Sequence, residues 1–327
     1  MSRATKAFHH LWVRTPWLAG RPPRQMVSDG LLVLVPPIGF FIAQFFYNNQ
    51  LLLLTMMLYV VLAQGINIIF GFTGYLPFGY VGFFGAGAYG TALSVIFLHV
   101  PAALAVLLGG VAGVLLGALL SPLLRLSGAY FAIASLAAAE ALYYLISNPQ
   151  VSAVTNGPYG VNLSSVYNSG AAYIAAVALV GLAGLCVVWV RRSHFGMSLR
   201  AIRADPLSAR MAGVQVVRAR TYAWLISSTL AGLAGAIYGW AVSVFYPEAV
   251  FDLSISVFAI VFALFGGVGT VLGPLLGTIV LFGVYNAIGI SQPQYFQLIY
   301  GVLIVLIVLF LPNGLLSIRL RGRSRVK

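Results

Sequence analysis

From residue 31 onward the chain alternates long apolar runs with short polar ones. A helix rising about 1.5 Å per residue needs about 20 mostly apolar residues to cross about 30 Å of hydrocarbon. By that length the pattern predicts about ten spans (eight to ten), near 31–48, 50–70, 78–98, 101–123, 129–147, 171–190, 221–243, 252–269, 271–290 and 295–312. The expected fold is an all-α integral membrane protein, a polytopic helical bundle whose membrane domain runs over 31–312. The third, eighth and ninth runs are short or rich in glycine and read as broken or re-entrant helices. A membrane tolerates such breaks only where the irregular backbone is buried in protein or lines a cavity.

Composition agrees with the pattern. Hydrophobic residues make up 61% of the 327 residues and charged residues 7%. A soluble domain carries about 25% charged residues, because water must wet its surface. The formal charge of +13 changes the picture only through its placement. No Lys or Arg occurs between Arg24 and Arg125, or between Arg220 and Arg319. Short basic tracts between apolar runs are what the positive-inside rule produces, and they argue against a nucleic-acid partner, which would need a basic patch on one folded face. With residues 1–30 as a retained cytoplasmic tail, ten crossings leave Arg125, the 191–220 segment and the basic 313–327 tail on the same side. Both termini are then expected in the cytoplasm. The apolar run from Leu31 continues to Tyr47 with no small-residue cleavage pattern, so it reads as a first span, not a removed signal.

Candidate chemistry is sparse. The two lysines, Lys6 and Lys327, stand at the ends, so no P-loop, which requires a lysine in its glycine-rich turn, is available for ATP. His9, His10, His99 and His194 form no metal-ligand spacing, and Cys186 is alone. No metal or cofactor is expected, and no enzymatic reaction. Of the acids Asp29, Glu140, Asp205, Glu248 and Asp252, Glu140 alone falls well inside a span. A carboxylate at that depth costs about 2.5–3.5 kcal/mol on insertion scales, so it should face protein or water. Its roles are then a structural hydrogen bond, a lining of a pathway, or proton coupling. Gly109–Gly113–Gly117, Gly269–Gly273–Gly277 and Gly235–Gly239 form four-residue rows that let helix backbones approach closely. The 147–170 loop is polar, uncharged and turn-rich, and it is expected outside.

The 191–220 segment, expected inside, begins amphipathic and places Asp205-Pro206 at a helix start, where Pro is tolerated. A short run to Gly213 follows. Such a helix would lie along the membrane face and present Arg203, Arg210 and Arg218 to water or to a partner. The alternative is a positive-inside loop and nothing else.

Four stretches, in order, resemble one family. They are NIIFGFTGYLPFGYVGFFGAGAYGTAL (67–93); LRLSGAYFAIASLAAAEALYYLISN (124–148), continued by TNGPYGV (155–161); FGMSLRAIRADPLSARMAGVQV (195–216); and LAGLAGAIYG (230–239) followed by GGVGTVLGPLLG (266–277). The chain is similar in these to the LivM-type permeases of branched-chain amino-acid ABC importers. That resemblance makes 191–220 the cytoplasmic segment that importer permeases dock into an ATPase. Of the general pattern E-A-A-x-x-x-G, Gly213 matches the Gly and Ala209 the second Ala. Leu207 and Ser208 replace the Glu and the first Ala, which leaves the contacts open. The coupling set implied is Arg203, Asp205, Ala209, Arg210 and Gly213.

The resemblance also implies partners: a second, LivH-type permease, two cytoplasmic ABC ATPase subunits, and an extracytoplasmic binding protein docking near 147–170. The location would be a bacterial-type plasma membrane, and the substrate a branched-chain or other hydrophobic amino acid. Close relatives carry urea or short amides, and a self-contained secondary transporter or a structural subunit stays open as an alternative. Glu140, Tyr80, Phe83 and Tyr89 are candidate pathway residues, with packing the competing role for each aromatic.

Overall fold

Residues 23–291, together with 301, 302 and 305, are described by a computed structural model. Apart from those three residues the predicted tenth span lies outside them, as do 1–22 and the basic 313–327 tail. The described chain is helical throughout, apart from one two-residue strand pair. Its long helices are α1 (Pro23–Ala43), α2 (Gln50–Ile66), α3 (Val81–Leu98), α4 (Ala102–Leu119), α5 (Ala129–Ile146) and α6 (Ser169–Arg192). After two short helices, α7 (His194–Ala204) and α8 (Pro206–Met211), come α9 (Val216–Val242), α10 (Leu253–Gly266) and α11 (Gly273–Ser291). Seven helical stretches among the described residues are long and apolar enough to cross a membrane, and Gly30–Ala43 and Gly273–Gly289 are shorter apolar helices. The protein is a polytopic α-helical membrane protein.

Two sequence expectations change. The first helix starts at Pro23, inside the stretch assigned to the cytoplasmic tail. A Pro in the first turn loses no intrahelical bond, so the helix extends beyond the apolar run. The Gly269–Gly273–Gly277 row is not one helix face. Gly269 lies in the loop before α11 with φ +81°, a left-handed turn that glycine adopts without steric cost.

The core is built where backbones touch. α3, α4 and α9 pack against one another along their lengths. A methyl group on Gly113 would stand 2.8 Å from the Gly232 Cα and 2.9 Å from the Ser228 carbonyl oxygen. The Gly109–Gly113–Gly117 row therefore faces α9 in the same chain, as intramolecular packing. Trp224, 1% exposed, fills the space beside it and donates its indole N–H to the Gly117 carbonyl at 2.9 Å. On the far side of α4, Leu104, Leu107, Val111, Leu115 and Leu119 form an exposed stripe, which suits a hydrocarbon solvent.

Two breaks interrupt the bundle. α2 ends in a π turn, Asn67–Gly71, and α3 starts only after a 3₁₀ turn at Phe78–Tyr80. Gly79 packs on the backbone of Ser135, six residues into α5, so α3 begins about 9 Å along α5 at 1.5 Å per residue. The unwound stretch between them is sunk within the bundle, and serines from other helices serve its backbone. The Ser135 hydroxyl accepts from Gly79 N at 3.3 Å, and the Ser256 hydroxyl accepts from Val81 N at 2.7 Å. The second break separates α10 from α11. α10 has 14 residues and, with the short helix Pro247–Val250 before it, makes up a 20-residue spanning stretch. The loop that follows returns against α2. Buried Asn67 accepts from Gly269 N at 2.6 Å and donates to the Thr270 carbonyl at 2.7 Å, while buried Gln64 donates to the Val271 carbonyl at 2.8 Å. The third and eighth runs, expected to be broken or re-entrant, lie on the spanning-length stretches Phe78–Leu98 and Pro247–Gly266, and the irregular backbone falls between helices.

At the opposite end, the 147–170 loop is a chain of single turns closed by β1 (Val161–Asn162). β1 pairs antiparallel with β2 (Val244–Phe245), Val161 opposite Phe245. Trp240 donates to the Val166 carbonyl at 2.8 Å, which holds the loop over the end of α9.

Candidate functional site

The basic end of the bundle carries the most definite surface feature. α6 ends on Arg191 and Arg192, cations at a helix C-terminus, where the peptide dipoles favour them. The chain turns sharply, and Ser193 caps α7 by accepting from Gly196 N at 3.1 Å. α7 is amphipathic: Phe195, Leu199 and Ile202 are buried, while Arg200 and Arg203 lie on its exposed side. Asp205 then caps α8, accepting from the amides of Leu207 and Ser208, each at 3.0 Å, and from the Ser208 hydroxyl. The Ser208 hydroxyl and those two amides hold the Asp205 carboxyl below the usual carboxylate range. Pro206 takes the first helical position, where its missing N–H costs nothing.

α8 is short and two-faced. Ala209 is buried at 4% exposure, whereas Leu207 is 65% and Met211 83% exposed. Four residues apart, these two apolar side chains share one outward face, with Arg210 exposed between them. Gly213 ends the helix. Its φ of +87° is left-handed; its N–H reaches the Arg210 carbonyl, and Val214 N reaches that of Ala209, both at 3.0 Å. A glycine in this conformation is a common helix stop. An open recess of about 630 Å³ follows, lined by Arg210, Gly213, Val214, Gln215 and their neighbours to Arg218. Arg218 is set by a 2.7 Å bond to the Gln215 side-chain oxygen.

Arg203 is exposed and also reaches back to the bundle. Its Nη1 turns back to donate to the Gly71 carbonyl, and its guanidinium carbon lies 6.0 Å from the centre of the Phe70 ring. A carbonyl left without a helical partner at the π turn is a good acceptor for a guanidinium.

A second, apolar pocket of about 580 Å³ is lined by the unwound stretch (Gly74, Leu76, Phe78), the first half of α5 (Ala132, Ile133, Leu136 and neighbours) and the start of α10 (Leu253, Val257). Glu140, one turn beyond Leu136 on α5, is half-buried and makes no hydrogen bond or ion pair with any described residue. Tyr80, Phe83 and Tyr89 are buried to 2% exposure or less, and the pocket is lined by other residues. Tyr80 donates to the Ser227 carbonyl at 2.8 Å, Phe83 meets Trp224 edge-on at 4.9 Å, and Tyr89 sits between Phe245 and Phe251. The described residues contain no grouping of three His, Cys, Asp or Glu able to hold a metal.

Sequence reasoning missed Gln64 and Asn67, although two amides inside an apolar run were a readable sign of a polar contact within the membrane. It also passed over Leu207 and Met211, apolar positions in an otherwise basic segment.

Residues 50–308 match the family described as "branched-chain amino acid transport system / permease component". The chain belongs to that family. It is 28% identical over 295 residues to the high-affinity branched-chain amino acid transport system permease proteins LivM of Salmonella typhimurium and Escherichia coli, covering 80% of this chain and 68% of theirs. It is 26% identical over 158 residues to the LivH permease of Salmonella typhimurium, covering 48% of this chain and 50% of that one. No solved structure matches it at a comparable level. The matched region takes in α2 through α11, so both breaks and the α7–α8 segment lie within the family's permease component.

Proposed function

We propose that this chain is one of two permease subunits of an ABC importer for branched-chain or other hydrophobic amino acids, driven by separate ATPase subunits that dock on α7 and α8. The observation that carries this is the outward face of α8: Leu207 and Met211 stand exposed among arginines, beside the recess that starts at Gly213. Apolar anchors ringed by charge are what a desolvating protein partner uses, and water alone gives them no reason to be there. The arginines of 191–220 and Arg125 belong to the end that faces the cytoplasm by the positive-inside rule. On that reading both termini are cytoplasmic, the crossings number about ten, and the membrane is the bacterial inner membrane.

The names of the LivM and LivH relatives support the substrate class and the pairing with a second, LivH-type permease. The opposite end, where Tyr159, Tyr167 and Tyr246 are exposed around β1 and β2, is the docking surface for the extracytoplasmic binding protein. The apolar pocket and the α5 face above it, with Glu140, form this chain's share of the path.

The test is Met211→Asp in the chain expressed with its partner subunits. Met211 is exposed, so insertion and folding should be unchanged, while co-purification of the ATPase and ATP-driven leucine uptake in proteoliposomes should fall together. Full ATPase recovery and undiminished uptake would refute the docking assignment.

A further inference from the structure

The docking segment and the apolar pocket share one stretch of chain. Residues 72–77 join the π turn of α2 to the 3₁₀ turn before α3, and Gly74 and Leu76, with Phe78 just beyond, wall the pocket. Two arginines hold that stretch, one from each side of α8. Arg203, two residues before Asp205, donates to the Gly71 carbonyl, and its Cγ lies 3.6 Å from where a Cβ on Gly74 would stand. Gly74 itself has φ +81°. Arg220, in the first turns of α9, places its guanidinium 4.2 Å from the centre of the Tyr75 ring. Arg203 thus bonds the last residue of the π turn with its stem beside Gly74, Arg220 lies over Tyr75, and Leu76 follows at the pocket wall.

The flanks of the stretch are fixed by other means. On one side Asn67 is bonded to Gly269 and Thr270, and on the other Gly79 and Val81 are bonded to Ser135 and Ser256. Between these anchors the backbone is unwound, and an unwound stretch between two fixed helices is where φ and ψ can change without breaking either ladder. A guanidinium bonded to a carbonyl is directional and transmits a displacement.

We infer that Arg203 and Arg220 are positioning residues that link the ATPase-docking segment to the unwound stretch 74–77 and the helical end before it, so that movement of α7–α8 moves the pocket wall at Gly74–Phe78. This rests on the permease reading above and adds the connection by which docking reaches the path. Neither arginine needs to touch the substrate. Both act through the stretch that walls the pocket.

The test uses a reporter cysteine at the wall, Leu76→Cys, in a Cys186→Ser background, in the assembled transporter with its ATPase and binding-protein partners. The rate of alkylation of the reporter is compared without nucleotide and with ATP plus vanadate, and substrate taken up per ATP hydrolysed is measured in proteoliposomes. With both arginines present, the labelling rate should differ between the two nucleotide states. Arg203→Gln and Arg220→Gln should abolish the difference and lower uptake per ATP by about 5-fold or more, the lower end of ordinary coupling between sites, and Arg220→Gln, which lies outside α7 and α8, should do so with ATPase co-purification intact. Arg220→Lys keeps a cation over Tyr75 and should restore most of the effect, which a simple loss of folding would not allow. Unchanged labelling differences and an unchanged transport ratio in both Gln variants would overturn the inference while leaving the permease reading standing. A wild-type chain that recruits no ATPase overturns the permease reading itself.

Discussion

Substituting Gly113 by Ala tests whether the α4–α9 contact holds the bundle. The new methyl carbon would stand 2.8 Å from the Gly232 Cα and 2.9 Å from the Ser228 carbonyl oxygen. Carbon atoms rest at about 3.5–4.0 Å, so the two helices must part by about 0.7–1 Å. Both obstructing atoms are backbone, and no rotamer change can relieve them. A radial gap of about 0.5–1 Å forfeits a quarter to a half of each dispersion contact along that face, and overpacking of this kind costs about 1–3 kcal/mol. Against it stands the gain of about 0.5–1 kcal/mol from replacing a helical glycine by alanine. The net expectation is a loss of about 1–2 kcal/mol. Gly283→Ala isolates the opposing effect. Gly283 lies in α11 with nothing within 4 Å of a Cβ, so that variant should be neutral or slightly more stable. Thermal unfolding of the purified variants in one detergent, at matched lipid content, gives the comparison. A Gly113→Ala midpoint equal to or above that of Gly283→Ala would refute the close-packed α4–α9 face.

Asn67→Leu removes the bonds to Gly269 and Thr270 and leaves two half-buried backbone groups without their partner, at up to about 1–3 kcal/mol each. It should lower the unfolding midpoint more than Gln64→Leu, which gives up the bond to the Val271 carbonyl and a long one, 3.4 Å, from Asn67. Asp205 predicts a pH dependence. Its carboxyl is held below the ordinary value of about 3.9, so its capping contribution is complete above that value and is lost as pH falls through the lowered one. ATPase co-purification should therefore be flat from about pH 5 to 8, while Asp205→Ala should weaken it across that whole range.

What the sequence disclosed follows from where each kind of information is stored. The helices were legible because apolar run length is a local property set by the bilayer. Each of the first nine predicted runs falls on a helix, and seven helical stretches reach spanning length. The α8 turn was equally local: Asp205, Pro206 and Gly213 carry their own start and stop signals within nine residues. The break between α2 and α3 was legible only as a glycine-rich run. Its position depends on acceptors at Ser135 and Ser256, 56 and 175 residues away in the chain. The bond that the exposed Arg203 makes back to the bundle was hidden for the same reason: its partner, the Gly71 carbonyl, is 132 residues away. Gly269 failed in the opposite sense, because a four-residue glycine spacing was taken for a helix face where the chain makes a left-handed turn.

Four buried polar side chains serve the places where helices break: Gln64, Asn67, Ser135 and Ser256 each bond backbone at one of the two interruptions, as a solvent without hydrogen bonds requires. Glu140 serves neither break. It stands about 16 Å along α5, half-buried, with no described partner. Hydrocarbon would charge it about 2.5–3.5 kcal/mol, and the nearby break already has its bonds. The face of α5 bearing Ile133, Leu136 and Glu140 is therefore ill suited to lipid, unlike the leucine stripe on α4. This is the physical reason for running the proposed path along α5, from the apolar pocket past Glu140, with water or the second permease on the other side.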